Sequence, residues 1–398
     1  LQTTLNLLLG DGSELDMQSF SSEKFTWGLP RQGDLKVNGR NFSLSRVQPW
    51  LPPGLKLSGE LGWQSSAEWQ IGQPWLVVGD ASISEGRFSW LDDEDTINAE
   101  LSVAALNWTW QKRLAGTLDL QLQEHGNIDV SLDLPITANF PLQLDKSGPV
   151  TGELTARLQE LGLLSILFPG RVQESRGQVK IDLLLAGSLE QPGLRGDARL
   201  FDAGAFLPTL GITLEDIDLH GSFNQDQVEL KALQLTSAGG SLFGQGQMKL
   251  ANWRPQDYRL QLKGDRFQLF NLPELQVRVT PDLTINGDQA SYRVRGSLTV
   301  PELLASNRKK TTLAENSPDL QIVDAEAPKE RQSKMTHDID LQLLLGEKVL
   351  FNSAGVDAKL DGRLQLRSNT RQELVAFGEI LVEKGRYASY GVSLDIER

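Results

Sequence analysis

Three histidines, His125, His220 and His337, are the only imidazoles of the chain, and they lie far apart in sequence. An acyl-transfer hydrolase needs a nucleophile, a base and an orienting group that converge in space. His125 stands in QEHGNID and His220 precedes Gly221 in EDIDLHGSF, so both read as surface turn residues and not as bases. No GxSxG and no HExxH occurs. The absence of cysteine rules out disulfides, thiolate metal sites and a cysteine nucleophile. The acidic run from Asp92 to Asp95 lacks the alternate-residue spacing and closing Glu of a calcium loop, and reads as a solvated hairpin tip. SAGGSLFGQGQMKL, Ser237 to Leu250, has the glycines of a phosphate loop. It lacks Lys-Ser/Thr after the last Gly and runs into a strand, so tight turns explain it. Trp50, Trp63, Trp69, Trp75, Trp90, Trp108 and Trp110 crowd the first third. Core or rim burial accounts for them, and an aromatic sugar platform is the alternative. No pair of carboxylates is singled out for glycoside hydrolysis. The reading is of a non-enzymatic protein with no cofactor and no metal.

The elements that would carry any site are strands. Period two dominates: GTLDLQLQEHGNIDVSLDLP puts Leu118, Leu120 and Leu122 on one side, then Ile128, Val130, Leu132 and Leu134. VKIDLLLAG does the same with Val179, Ile181, Leu183 and Leu185. YRLQLKG follows with Leu260 and Leu262, LQVRVTPDLTING with Val277 and Val279, and DIDLQLLLG with Ile339, Leu341 and Leu343. Gly, Asp, Asn or Pro punctuates nearly every gap. Alternating α/β architectures are excluded, and the class is all-β. Sandwiches and barrels close within about 100 to 250 residues. Patterning from near residue 30 to the end of 398 residues favours an open-ended stack of roughly 25 to 30 strands. Short turns make the neighbours antiparallel.

Composition sets the remaining bounds. A formal charge of −13 gives no electrostatic footprint for nucleic acid or for an anionic membrane surface. Leu5 to Leu9 is too short for a signal core, and no run of about 18 apolar residues occurs. The chain reads as soluble, and its start on Leu1 and end on LDIER read as those of a segment cut from something longer.

Two places break the strand pattern alike. Leu44, Val47 and Leu51 are spaced i, i+3 and i+7 before Pro52, and Leu161, Leu164 and Phe168 are so spaced before Pro169. Each predicts a short amphipathic helix, near 44–51 and 159–168, and together they suggest an internal repeat. The domains follow: 1–150 and 151–300 as two strand blocks, each with its helix, 301–336 as a polar loop, and 337–398 as the final strands.

What remains is a surface. Each strand carries a Leu-rich face, and no helical layer is evident to cover it. A sheet curled about that face makes an apolar trough, lined by the alternating residues named above. An exposed apolar area of that size implies an apolar guest. Acyl chains and unfolded hydrophobic polypeptide are the two candidates. A parallel β-helix acting on polysaccharide is the third reading.

FGEILVEKGRYASYGVSLDIER, Phe377 to Arg398, resembles the C-terminal signature of the TamB family, which is related to the AsmA-like proteins. Gly385, Tyr387, Tyr390 and Gly391 carry the order of that signature. The runs from Leu341 to Leu366 and from Gly187 to Phe223 are similar to the family's preceding segments, so the likeness covers about 150–398 and is thinner before that. The resemblance implies a curled, taco-like β-sheet with an apolar trough, in a periplasmic protein tethered to the inner membrane. It implies phospholipid transfer between the membranes or assembly of outer-membrane β-barrels, with an Omp85-type partner. The N-terminal anchor and the last segment expected to dock that partner are read as missing from this sequence. In this frame Gly378 and Gly385 set bends between strands, and Tyr387 sits at the trough rim; Tyr390 sits there too or, in a conventional hairpin, which the reading favours for it, has no function of its own.

Overall fold

A computed structural model describes residues 2–397 apart from 11, 22–29, 52–54, 92–95, 140–141, 162–164, 166, 167, 169, 252–253, 307–335, 354–355, 371, 390 and 391. The period-two runs form twenty-four strands among the described residues. The chain divides into two compact units, Leu1–Thr209 with 214–233 and 249–254, and 210–213 with 234–248 and 255–398.

In the first unit β1 (Gln2–Leu8), β2 (Glu14–Phe20), β3 (Gln32–Ser43), β4 (Leu55–Gln70), β5 (Leu76–Leu91), β6 (Thr96–Trp110), β7 (Leu114–Leu122) and β8 (Gly126–Leu134) follow in order. Each pairs antiparallel with the next. A two-residue pair, β9 (Ile136–Thr137) and β10 (Gln143–Leu144), makes a short detour. The ladder then resumes, with β11 (Thr151–Leu161) on β8, β12 (Gln173–Gly187) on β11 and β13 (Pro192–Leu207) on β12. Next in the chain come β14 (Ile212–Gln225), β15 (Gln227–Ser237) and β16 (Gly240–Ala251), whose residues divide between the two units, 212–213 and 234–248 belonging to the second. Ala238 and Gly239, at φ 48° and 77°, turn β15 into β16, the tight turn expected of that glycine-rich run.

In the second unit β17 (Arg254–Asp265) and β18 (Phe267–Asn271) both pair with β19 (Leu275–Asp288). The ladder continues through β20 (Ser291–Ser306), β21 (Thr336–Ser353), β22 (Val356–Asn369), β23 (Gln372–Ser389) and β24 (Val392–Glu397). One pair departs from the expected antiparallel rule: β20 and β21 run parallel from Ser291–Thr336 to Ser306–Asn352. Parallel neighbours need a connection of a dozen or more residues to return the chain across the sheet. The polar loop read at 301–336 is shorter than that reading, because 301–306 continue β20 and Thr336 opens β21; residues 307–335 lie between the two strands and outside the described residues.

Bulges recur from strand to strand. In the second unit the register shifts at Gln268/Phe270, Arg278/Thr280, Val300/Glu302, Leu344/Leu350 and Lys359/Leu360, across five successive pairings. The first unit shifts at Gly39/Phe42, Ser58/Glu60, Leu101/Val103 and Gln173/Arg176. Left-handed residues sit beside several of these shifts, among them Asn41, Glu85 and Glu174 at φ 56°, 51° and 51°. A bulge bends its strand and raises the local twist. Repeated on neighbouring strands, it creases the sheet across the strand direction.

Three expectations are corrected. Residues 44–50 form a 3-10 helix, Leu44–Trp50, and not an amphipathic α-helix. Pro49 lies inside it and cannot donate the bond an α-helix needs, so Leu51 N–H closes on Gln48 at 3.2 Å instead. At the second site residues 159–161 continue strand β11, and most of 162–168, like Pro52 and Pro169, lies outside the described residues. The parallel β-helix is ruled out, because the strand pairs above are antiparallel apart from β20 with β21. Gly378 and Gly385 are not bends between strands; both lie within β23, opposite Leu364 and Ala358.

Candidate functional site

Register decides which side chains share a face, because directly opposed residues point the same way. In the first unit one row runs Leu7–Leu15–Gly39–Trp63–Ala81–Leu106 and on through Leu118–Val130–Leu154–Leu183–Gly196. It crosses eleven strands without a polar side chain, a distance of about 48 Å. The neighbouring row takes in Leu120, Ile128, Ala156 and Ile181. In the second unit Leu262–Leu283–Gly296–Leu341–Leu366–Ala376 forms a six-strand counterpart.

The residues singled out from the sequence therefore fall together within each unit. Leu118, Leu120, Leu122, Ile128, Val130 and Leu134 are half-buried on β7 and β8, and Leu132 is 40% exposed. Val179, Ile181, Leu183 and Leu185 are half-buried on β12, as are Leu260, Leu262, Val277, Ile339, Leu341 and Leu343 in the second unit. Val279 differs: it is 4% exposed, opposite the equally buried Phe267, and is packed away from any opening. Only fourteen apolar residues are buried outright among the described residues, and six of those are alanines. The large side chains of this face are not sealed in a core.

Three features of the face were not read from the sequence. Aromatic rings pave its β3–β6 end, where Phe42 and Trp63 meet at 4.6 Å and Trp69 and Trp75 at 5.7 Å between centroids. Trp69 Nε1 donates to the Pro30 carbonyl at 3.0 Å and Trp110 Nε1 to the Ile136 carbonyl at 2.8 Å, which satisfies both indoles. The second feature is a repeat. Val179, Asp182, Leu183, Gly187, Arg195 and Gly196 recur 100 positions on as Val279, Asp282, Leu283, Gly287, Arg295 and Gly296. Leu183 opposes Gly196 as Leu283 opposes Gly296, so each unit contains the same hairpin in the same register. The third is the crease of bulges.

The other face is polar and ion-paired. Arg157 Nη2 donates to Asp182 at 2.6 Å, Arg295 Nη2 to Asp338 at 2.6 Å, and Arg199 forks onto Asp218. Exposed pairs of this kind add little to stability, because solvent screens them. His220 Nε2 lies 2.8 Å from Asp197 Oδ1, to which Lys231 Nζ also donates at 3.0 Å. The hydrogen bond with His220, then that from Lys231, holds the Asp197 carboxyl below its usual range. His220 lies inside β14 and His125 is 5% exposed, so neither is the surface turn residue expected. His125 Nδ1 lies 3.3 Å from the Gln159 carbonyl, which fastens the β7–β8 turn to β11. His337 Nε2 is 2.9 Å from Ser368 Oγ and its ring stacks on Tyr292. Among the described residues no carboxylate bonds the His337 ring to complete a triad, and no group of three or more acidic or histidine side chains converges to hold a metal. Residues 92–95 lie outside the described set.

A depression of 880 Å³ opens on this polar face, over β3–β8, β11 and β12, with walls that include Asn38, Gln64, Asn107, Thr117, Ser131 and Glu153.

These features define a class: a repeat-built antiparallel sheet with one apolar face and one ion-paired face. Residues 23–200 match the TamB N-terminal domain and residues 230–398 the TamB C-terminal domain. The chain belongs to the TamB family, and the match extends through the first third, where the sequence motifs were thin. It is 22% identical over 413 residues to the "Translocation and assembly module subunit TamB" of Haemophilus influenzae (strain ATCC 51907 / DSM 11121 / KW20 / Rd). That alignment takes in 100% of this chain and 31% of the relative, so the chain spans about a third of that protein's length. No solved structure matches. Among the described residues no helix is long and apolar enough to cross a membrane.

Proposed function

We propose that this chain is a segment of a periplasmic, non-enzymatic conduit that carries phospholipid between the inner and outer membranes. The observation that supports it is the apolar row in register across eleven strands, with the charged partners kept to the opposite face. The creased sheet curls about that row into a trough. Acyl chains lie along it while head groups ride in water, which avoids the cost of dragging a charged group through hydrocarbon. No bond is made or broken, so no cofactor or metal is called for, and net flux comes from a gradient or an energy source elsewhere. The lining is the set of residues named from the sequence, with Val279 left out because it is packed away. The whole protein would be tethered to the inner membrane and would meet an Omp85-type barrel at the outer one.

A second reading is an assembly platform whose apolar face holds strands of nascent outer-membrane β-barrels. The name of the Haemophilus relative, a translocation and assembly module subunit, favours it. The two differ in what touches Leu183. A photo-crosslinking residue placed there in cells should yield phospholipid adducts if the face is a conduit. Polypeptide adducts without lipid would favour the platform.

A further inference from the structure

Three indoles of the first unit, those of Trp63, Trp69 and Trp108, lie over strand glycines. Trp63 is directly opposite Gly39 and Trp108 directly opposite Gly79. A Cβ on Gly39 would sit 2.4 Å from Trp63 Cη2 and 2.5 Å from Cζ2 and Cζ3. A Cβ on Gly79 would sit 2.3 Å from Trp108 Cζ2, and one on Gly33 2.6 Å from Trp69 Cζ2. Each ring fills the place of its neighbour's missing side chain, an aromatic cover over a strand glycine. A ring in this pose rises from the backbone by about one van der Waals contact, roughly 3.5–4 Å. Displaced from it, the largest side chain in the protein would stand into the space over the apolar face.

We infer that Gly39 and Gly79 set the clearance of the apolar face at its aromatic end, by letting Trp63 and Trp108 serve as floor. This role rests on the conduit reading, in which hydrocarbon must slide over that floor. It locates a narrow point on the path and assigns the glycines, not the indoles, as the residues that keep it open.

Gly39 is the better site for the test. Its three nearest obstacles are ring atoms of Trp63, which can swing away, whereas a Cβ on Gly79 would also lie 2.6 Å from the Gln64 carbonyl. The readout is transfer of a fluorescent phosphatidylethanolamine between phosphatidylethanolamine–phosphatidylglycerol vesicles by the purified 398-residue chain. Gly39→Ala should slow transfer by about tenfold or more. Gly39→Ala combined with Trp63→Leu should restore it, because no ring is left to stand up. In a Trp63→Leu background, adding Gly39→Ala should change transfer no further, a comparison readable even if Gly39→Ala alone does not fold. Parental transfer by folded Gly39→Ala, or a slowing by Gly39→Ala in the Trp63→Leu background, overturns the clearance role and leaves the conduit standing. No transfer by the parent chain overturns the conduit reading and this inference with it.

Discussion

Gly196→Ala should lower the stability of the chain by about 2–4 kcal/mol, read as a lower urea midpoint at unchanged slope. Gly196 has φ 133°, a conformation that L side chains rarely adopt, and a Cβ there would lie 1.9 Å from the Asp182 carbonyl oxygen of the partner strand. The obstacle is backbone, which cannot step aside as a side-chain tip can. The β12–β13 ladder would have to part at the pair where Leu183 crosses Gly196. Gly296, at φ 136° and 2.0 Å from the Asp282 carbonyl, should respond alike in the second unit. Gly239 is the control. It also has positive φ, 77°, but nothing lies within 4 Å of its would-be Cβ, so Gly239→Ala should cost only about 1 kcal/mol. Equal losses at Gly196 and Gly239 would refute the close approach in the hairpins.

Leu183→Glu should leave the fold in place and stop transport. Leu183 lies in the row between Leu154 and Gly196 and is half-buried. On an open lining the carboxylate can reach water, so circular dichroism should be unchanged and the stability loss held to about 1 kcal/mol. Every acyl chain that passes must strip the water from that carboxylate, so vesicle-to-vesicle transfer should fall by about tenfold or more. Leu184, next in the strand, points to the opposite face and is 52% exposed, so Leu184→Glu should change neither property. Normal transfer by folded Leu183→Glu would contradict the conduit. Unfolding of that variant would mean that the face is a closed core.

Much of this was legible in the sequence because strand alternation is local. The runs Leu118–Leu122, Val179–Leu185 and Ile339–Leu343 declare their apolar side residue by residue, and the structure keeps each run on one face. What pairs with what is not local. That Trp63 would land on Gly39, or Leu183 against Gly196, depends on hairpin registers that no period reveals. The bulges were invisible for a related reason: Glu85 and Glu174 take left-handed backbone although nothing in their residue type asks for it. His125 looked like a turn residue, and it is at a turn; what the sequence did not carry is that Gln159 of β11 bonds both its ring and its carbonyl. The helix at 44–50 was misread because apolar spacing outweighed Pro49 in the reading, while in the chain the missing N–H decides. The polar composition of 301–336 was legible, but not that 301–306 extend β20 or that β21 enters parallel to it, because both depend on pairing that composition does not carry.

The most direct measurement is native mass spectrometry of the 398-residue chain purified from a Gram-negative envelope without added lipid. Phospholipid should leave with the parent protein, in more than one acyl composition, and should be absent from folded Leu183→Glu. A parent chain that flies bare, with its apolar face intact and no lipid lost in handling controls, would contradict the account.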